Sequence, residues 1–324
     1  MTELVAADIG GTHARFALAR LDGAGNVVAL DDPVVMRCAD HASLQMAWEN
    51  FGATIGRPLP RAAAIAVAGP VVGDELKLTN NPWVIRPAMV NEKLGVDAHV
   101  LVNDFQAVAY AVGACGEGEF QHLCGPDVPL PDVGTISVLG PGTGLGVGLL
   151  VKRGGPDWQV LPTEGSHGDF SPVDALEDAI LAHFRRRFGR VSAERVVSGP
   201  GLADIHAALA ALEDKAIQPM DDKTLWSLAM SGEDSLAAAA LDRFCLALGT
   251  FAGNIALAHG AGGVVIGGGL GARLADHLPR SGFAGRFAAK GRFETLMRSL
   301  PVKLITHPQP GLFGAATAFG RSQR

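Results

Sequence analysis

Two stretches of this chain spell the same local pattern. DIGGTHARFALA, residues 8–19, and LGPGTGLGVGLL, residues 139–150, each run from an apolar strand through a glycine turn with a threonine into a second apolar strand. Glycine permits the positive φ angles and close backbone approach that such a turn requires. Two copies lying about one domain apart predict two related units, each built around one such hairpin; chance likeness of two glycine turns is the alternative. At 324 residues the chain is long enough for about two domains.

Strand and helix patterns alternate along the rest of the chain, which defines an α/β protein. VVAL and PVVMR extend the first hairpin into a sheet. Leu44, Trp48, Phe51 and Ile55 recur at helical spacing and predict a helix over 41–55. AAAIAVAG and HVLVND are buried-strand runs, with helices in PAMVNEKLG and FQAVAYAVGA. Residues 115–134, rich in Gly, Pro and acids, mark the hand-over between units. Beyond them, TISVLG and GVGLLVK flank PGTGL, and Leu176, Ile180, Phe184 and Phe188 line one helix face. A long helix covers at least 236–258, followed by the strand GGVVIGGG, then VKLITH and a terminal helix in GLFGAATAFG.

No full charge occurs from Phe244 to Ala272, a length that could span a bilayer. Glycines crowd its second half and Asn254 and His259 interrupt the first, so the expectation is a buried helix running into a buried strand. Hydrophobic residues at 48% and charged residues at 19% exclude a disordered chain. A net charge of −6 argues against a nucleic-acid surface, which needs clustered Lys and Arg. FRRRFG at 184–189 reads as a solvated cationic helix end. Four cysteines without a CxxC pair read as reduced, cytosolic thiols.

A ring of backbone N–H groups is a neutral way to hold a phosphate, and glycine lets the backbone come close enough. Gly10, Gly11 and Thr12 form one candidate phosphate turn, and Gly142, Thr143 and Gly144 a second. Ordinary hairpin turns are the alternative for either taken alone. Asp8 would be repelled by phosphate directly, but could face it through a hydrated Mg²⁺. A third cluster, Gly267, Gly268 and Gly269, follows an apolar strand and precedes a helix, where its backbone could lie against an adenine or ribose. The P-loop spelling GxxxxGK[ST] is absent. A GxGxxA from Gly267 to Ala272 lacks the early βαβ position and downstream acid of a dinucleotide site.

Asn103 and Asp104 end an apolar strand, where a carboxylate can accept a proton from a substrate hydroxyl. Capping of the following helix is the structural alternative. Glu164 and His167 stand three apart among glycines, a pair suited to a polyol: the carboxylate accepts two hydroxyls and the imidazole donates or accepts. Metal binding there would need a third ligand, which the spacing does not supply. Glu194 heads a short helix, where it could bind a ligand or complement the helix dipole.

Together DIGGTHARFALA, VNDFQAVA, GPGTGLGV, EGSHGDFSP, VSAERVVSGPGL, VVIGGGL and PGLFGAA resemble the bacterial glucokinase family, in that family's order and over nearly the whole chain. The resemblance implies a two-domain actin-like ATPase (ribonuclease H-like) fold with an inter-domain cleft that closes on sugar. The small domain would be residues 1–112 plus 302–324, with the terminal helix returning to it, and the large domain residues 113–301. It implies transfer of the ATP γ-phosphoryl group to the 6-hydroxyl of glucose, with Mg²⁺, in a cytoplasmic homodimer. Asp104 would match the catalytic base, and Asn103, Glu164, His167 and Glu194 the sugar-hydroxyl ligands. Gly10 to Thr12 and Gly142 to Gly144 would match the phosphate turns, and Gly267 to Gly269 the nucleoside-facing segment.

Two positions depart from the family pattern: His13 stands where many members have Asn, and Ser166 where many have Gly. The cysteine-rich zinc motif of related repressors and sugar kinases is missing, and the first strand at about residue 4 is expected to leave no room for an N-terminal DNA-binding module. Two alternatives stay open from the residues: a kinase for another hexose or amino sugar, and an actin-like ATP-hydrolysing filament protein. The convergent Asn103-Asp104, Glu164/His167 and Glu194 set speaks against the filament.

Overall fold

A computed structural model describes residues 1–78 and 81–324. The chain divides into two units, Met1–Gly116 with His307–Arg324, and Glu117–Thr306.

In the first unit come β1 (Thr2–Ile9), β2 (His13–Leu21), β3 (Val27–Leu30), β4 (Val34–Arg37), α1 (Leu44–Ile55), β5 (Ala62–Val67), β6 (Leu76–Lys77), β7 (Val84–Ile85), α2 (Val90–Leu94), β8 (Ala98–Asn103) and α3 (Asp104–Ala114). The main sheet runs β3-β2-β1-β5-β8, with β4 also on β2. The run LVAADI shows no polar alternation because β1 is covered on both faces. Val5, Ala7 and Ile9 share a core with Trp48 and Phe51 of α1. Leu4 and Ala6 pack in a second core with Leu312, Ala315 and Phe319 of the terminal helix. Helix α1 begins at Leu44 rather than 41, because the Ser43 hydroxyl accepts from the Met46 amide and caps it there.

The second unit holds β9 (Phe120–Cys124), β10 (Val133–Pro141), β11 (Leu145–Arg153), β12 (Trp158–Thr163), α4 (Ala175–Phe188), α5 (Ala193–Val196), α6 (Gly199–Leu212), α7 (Asp222–Ser231), α8 (Ser235–His259), β13 (Gly263–Ile266), α9 (Gly268–Arg273), α10 (Phe283–Ala288), α11 (Glu294–Arg298) and β14 (Val302–Ile305). The last helix, α12 (Pro310–Ser322), belongs to the first unit.

Strand order in the second sheet is β12-β11-β10-β13-β14-β9. Its first five strands repeat β3-β2-β1-β5-β8: a central strand antiparallel to its hairpin partner and parallel to its other neighbour, with the next strand parallel again. The duplication spelled by the two glycine hairpins is therefore a duplication of topology. The addition is β9, which pairs antiparallel with β14 at the edge.

Two expectations about boundaries are corrected. Residues 302–305, placed in the first unit by the sequence, form β14 between β13 and β9 of the second sheet, and the return begins at His307. The stretch 115–134 is more than a hand-over, since it contains β9. The uncharged segment divides into the end of α8, then β13 and α9. By length and composition α8 could cross a membrane, but Leu241, Phe244, Leu248 and Ala252 along it are buried in the core of the second unit.

Candidate active site

Three parallel strands of the first unit end level. Ile9 of β1 pairs with Val67 of β5, and Val67 with Asn103 of β8. The segments that leave their carboxyl ends therefore share one sheet edge, where open α/β sheets bind ligands. Two strand spacings, roughly 10 Å, separate β1 from β8. The glycine turn and Asp104 are thus neighbours on that edge.

In the turn, the Gly10 N–H donates to the His13 carbonyl at 2.9 Å, and the Cys38 N–H donates to Thr12 O at 2.9 Å. Thr12 and His13 are exposed and Gly11 is half-buried. The Gly10 carbonyl accepts from the Asn81 side-chain amide at 3.0 Å and faces the Cys38 thiol at 3.6 Å. Sequence reasoning assigns neither residue to the site; the Asn81-Pro82 dipeptide, a turn signal, is the one trace of it.

Asp8 faces Arg15 across the hairpin, their charged atoms 3.6 Å apart. Helix α12 abuts it closely: a Cβ on Gly311 would lie 2.8 Å from the carboxylate. Desolvation pushes the Asp8 carboxyl above its ordinary 3.8, with Arg15 pulling the other way. Among the described residues, no three His, Cys, Asp or Glu side chains gather into a metal cluster. A single carboxylate beside a glycine turn would suit a magnesium ion that keeps most of its waters and travels with nucleotide phosphates.

Of the two sequence readings of Asn103-Asp104, the structure shows the cap, on Asn103. Asn103 is the cap: its Oδ1 accepts from the Phe105 and Gln106 amides at 2.9 and 3.1 Å, and Gln106 reaches back to its N–H. Its Nδ2 donates to Gly69 O at 3.1 Å, tying β8 to the segment leaving β5. Asp104 is the first helical residue, half-buried, its Oδ1 accepting from the Phe105 amide at 2.7 Å.

In the second unit the turn between β10 and β11 is closed by Gly142 N–H to Gly144 O at 2.8 Å, and Gly142 O accepts from Gly199 N–H at 2.7 Å. Thr143 at its tip is exposed. Glu194 of α5 reaches this turn, its Oε2 accepting from the Leu145 N–H at 2.9 Å. A Cβ on Gly144 would stand 2.5 Å from that oxygen, so glycine here makes room for Glu194.

The other carboxylate oxygen of Glu194 lies 3.9 Å from His167 Nδ1, and His167 Nε2 lies 3.6 Å from Glu164. Both separations exceed hydrogen-bond length, so the imidazole stands between two acids without being consumed by either. Side-chain exposures of 64% for Glu164, 55% for His167 and 32% for Glu194 leave all three reachable from solvent. The loop that carries Glu164 and His167 is tied to the segment before Glu194. Ala193 N–H donates to Gly168 O at 2.9 Å, Phe170 N–H to Val191 O at 3.0 Å, and Arg190 to His167 O at 2.5 Å. Ser166, one of the departures from the family pattern, is buried between the exposed Glu164 and His167.

Gly267 to Gly269 open α9 beside the second turn, because Leu139 of β10 and Ile266 of β13 are in register. The Gly267 N–H is spent on Leu139 O at 2.7 Å. Gly268 has φ +75°, and a Cβ there would stand 2.7 Å from Pro141 O. Close packing on β10 therefore explains that glycine; the sequence assigned it to the nucleoside. Gly269 is exposed with open space where a Cβ would be.

Two α/β units of matching topology, with glycine turns, a carboxylate and a two-acid imidazole cluster at strand ends, define the sugar-kinase branch of the two-domain actin-like ATPase fold. The glucokinase family model matches residues 5–322. A glucokinase of Zymomonas mobilis is 60% identical over 317 residues, which cover 98% of this chain and 97% of that one. A crystal structure of a glucokinase from an Antarctic psychrotroph is similar at TM-score 0.84 and 34% identity, covering 99% of both chains. In fold, the chain is also similar to a Balamuthia mandrillaris glucokinase solved in complex with glucose, at TM-score 0.79 and 22% identity over 99% of this chain and 94% of that one. The chain belongs to the glucokinase family.

Proposed function

We propose that this chain acts as an ATP-dependent glucokinase in which Asp104 accepts the proton of the glucose 6-hydroxyl as that oxygen attacks the γ-phosphorus. The proton moves to a carboxylate oxygen, the new O–P bond forms, and ADP leaves with the electrons of the broken bond. What carries the assignment is the common edge of β1, β5 and β8, which sets the half-buried Asp104 beside the turn at 10–12.

Gly11 and Thr12 offer amides to phosphate oxygens, while the Gly10 N–H is occupied within the turn. Thr143 and Gly144 are the corresponding amides of the second unit's own turn, where the Gly142 N–H is likewise occupied. Fixed amides of this kind stabilise developing charge without reorganising. Gly269 is the member of the third cluster left open toward a nucleoside. Glu164, His167 and Glu194 hold sugar hydroxyls, the acids accepting and the imidazole able to do either. Asn103 contributes the amide hydrogen it does not give to Gly69, and its main task is to set Asp104 at the start of α3. Asp8 would face magnesium through water; the bound ion offsets negative charge on the phosphates. We place the enzyme in the cytoplasm as a homodimer, a state that sedimentation of the purified chain would establish.

Coupled ADP release measured over a panel of hexoses and amino sugars tests the substrate. Glucose should give the highest kcat/KM, and the product should carry phosphate on the 6-oxygen by ³¹P NMR. Faster turnover of an amino sugar, or phosphate at another position, would overturn the assignment.

A further inference from the structure

The Asn81-Pro82-Trp83 stretch lies far from the glycine turn in sequence, yet it holds the turn's first carbonyl. We propose that Asn81 is the positioning residue that selects which way the Gly10–Gly11 peptide faces, and so makes the turn competent to bind the nucleotide phosphates. The inference rests on the phosphate-turn assignment above.

A peptide flanked by two glycines turns over at little steric cost, so the Gly10–Gly11 amide has no strong preference of its own. Its trans geometry places C=O and N–H on opposite sides. Whatever captures the Gly10 oxygen therefore points the Gly11 N–H the other way. Asn81 Nδ2 captures it at 3.0 Å, and the Cys38 thiol faces the same oxygen at 3.6 Å. Burial pushes that thiol's pKa up, which keeps its proton available.

Asn81 is itself fixed at its other end. Its Oδ1 accepts from the Trp83 N–H at 2.9 Å, the Asx-type turn that Asn forms with the backbone two residues on. Trp83 is buried, and its indole N–H donates to His41 O at 2.8 Å. The donor that reaches Gly10 is thus anchored in the core of the first unit. Without it, a share of molecules would carry the peptide flipped, with the oxygen toward the phosphates, and nucleotide affinity would fall by that share.

Asn81→Ser separates the roles, because a hydroxyl can still accept from the Trp83 amide but cannot reach Gly10, and it adds no charge. In the purified full-length chain, the expected result is an ATP KM raised about tenfold, as for loss of one well-placed hydrogen bond. Glucose KM and melting temperature should stay near wild type. An unchanged ATP KM, or a glucose KM rising in step with it, would overturn the role. If Asn81→Ser fails to fold, the equally uncharged Asn81→Thr retains an acceptor for the Trp83 amide and must also raise ATP KM for the inference to stand. Gly11→Val, which crowds the amide itself, distinguishes the two levels. If it raises ATP KM while both Asn81 variants do not, the anchoring role alone falls; if it does not, the phosphate-turn assignment falls.

Discussion

The Glu194 carboxylate accepts a hydrogen bond from the Leu145 amide at 2.9 Å, so a proposed sugar ligand is fastened to the strand that leaves the second glycine turn. A methyl group at position 144 would stand 2.5 Å from the same oxygen and force the carboxylate away. Gly144→Ala should therefore lower kcat/KM for glucose by about tenfold or more, since small misplacements of positioning groups are costly. Steady-state kinetics with glucose varied against fixed ATP checks it; an unchanged glucose KM and kcat would contradict the coupling.

Asp8→Asn should stabilise the protein while impairing it. Desolvation raises the Asp8 carboxyl above 3.8 in the folded state, so that state holds its proton more tightly than the unfolded chain does. Ionising Asp8 then costs stability as pH rises from the ordinary carboxyl range through the folded value, and the full cost applies above it. The melting temperature of Asp8→Asn should match wild type in acid, where both side chains are neutral, and exceed it near neutrality. Thermal melts from pH 3 upward decide this, and a variant less stable at neutral pH would contradict it. Turnover should drop, because the charge opposite Arg15 is the one proposed to face magnesium.

Gly314→Ala tests how α12 is held on α3. Replacing a helix-interior glycine ordinarily gains about 1 kcal/mol. Here the new Cβ would stand 1.7 Å from the Ala107 carbonyl oxygen and 3.0 Å from the Ala111 nitrogen. Backbone on backbone cannot give way locally, so the clash outweighs the propensity gain. The variant should lose about 2 kcal/mol or more in denaturant unfolding; wild-type stability would contradict the close packing.

Arg190→Ala probes the loop that carries the imidazole. Arg190 donates to the His167 carbonyl and pairs with Asp169 at 2.8 Å, both at the surface. Exposed ion pairs add little to stability, so the melting temperature should hold. Glucose KM should rise about threefold as the loop loosens, with ATP KM unmoved. Equal changes in both constants would contradict a role confined to the sugar side.

What the sequence made legible was local. The two glycine hairpins, the strand end at Asn103-Asp104 and the Glu164/His167 pair each sit within a few residues, where spacing and turn chemistry speak directly. The hairpins even signalled the duplication, because each copy carries its own turn. What stayed hidden depends on partners distant in sequence. Glycine at 144 answers to Glu194, glycine at 268 to Pro141, and the Gly10 carbonyl to Asn81. The strand at 120–124 went unrecognised within its stretch, and that at 302–305 was put in the wrong unit, for the same reason. Short segments of that kind show where they belong only when paired, here with each other at the edge of the second sheet.

The most direct test of the central claim is Asp104→Asn, which keeps an acceptor for the Phe105 amide but cannot take a full proton. Glucose affinity by calorimetry and kcat by coupled assay should be measured on the same preparation. The expected outcome is a kcat lower by about 10² or more with glucose affinity little changed, as for loss of a general base. Turnover near the wild-type rate would contradict the assignment of Asp104 as the group that accepts the hydroxyl proton.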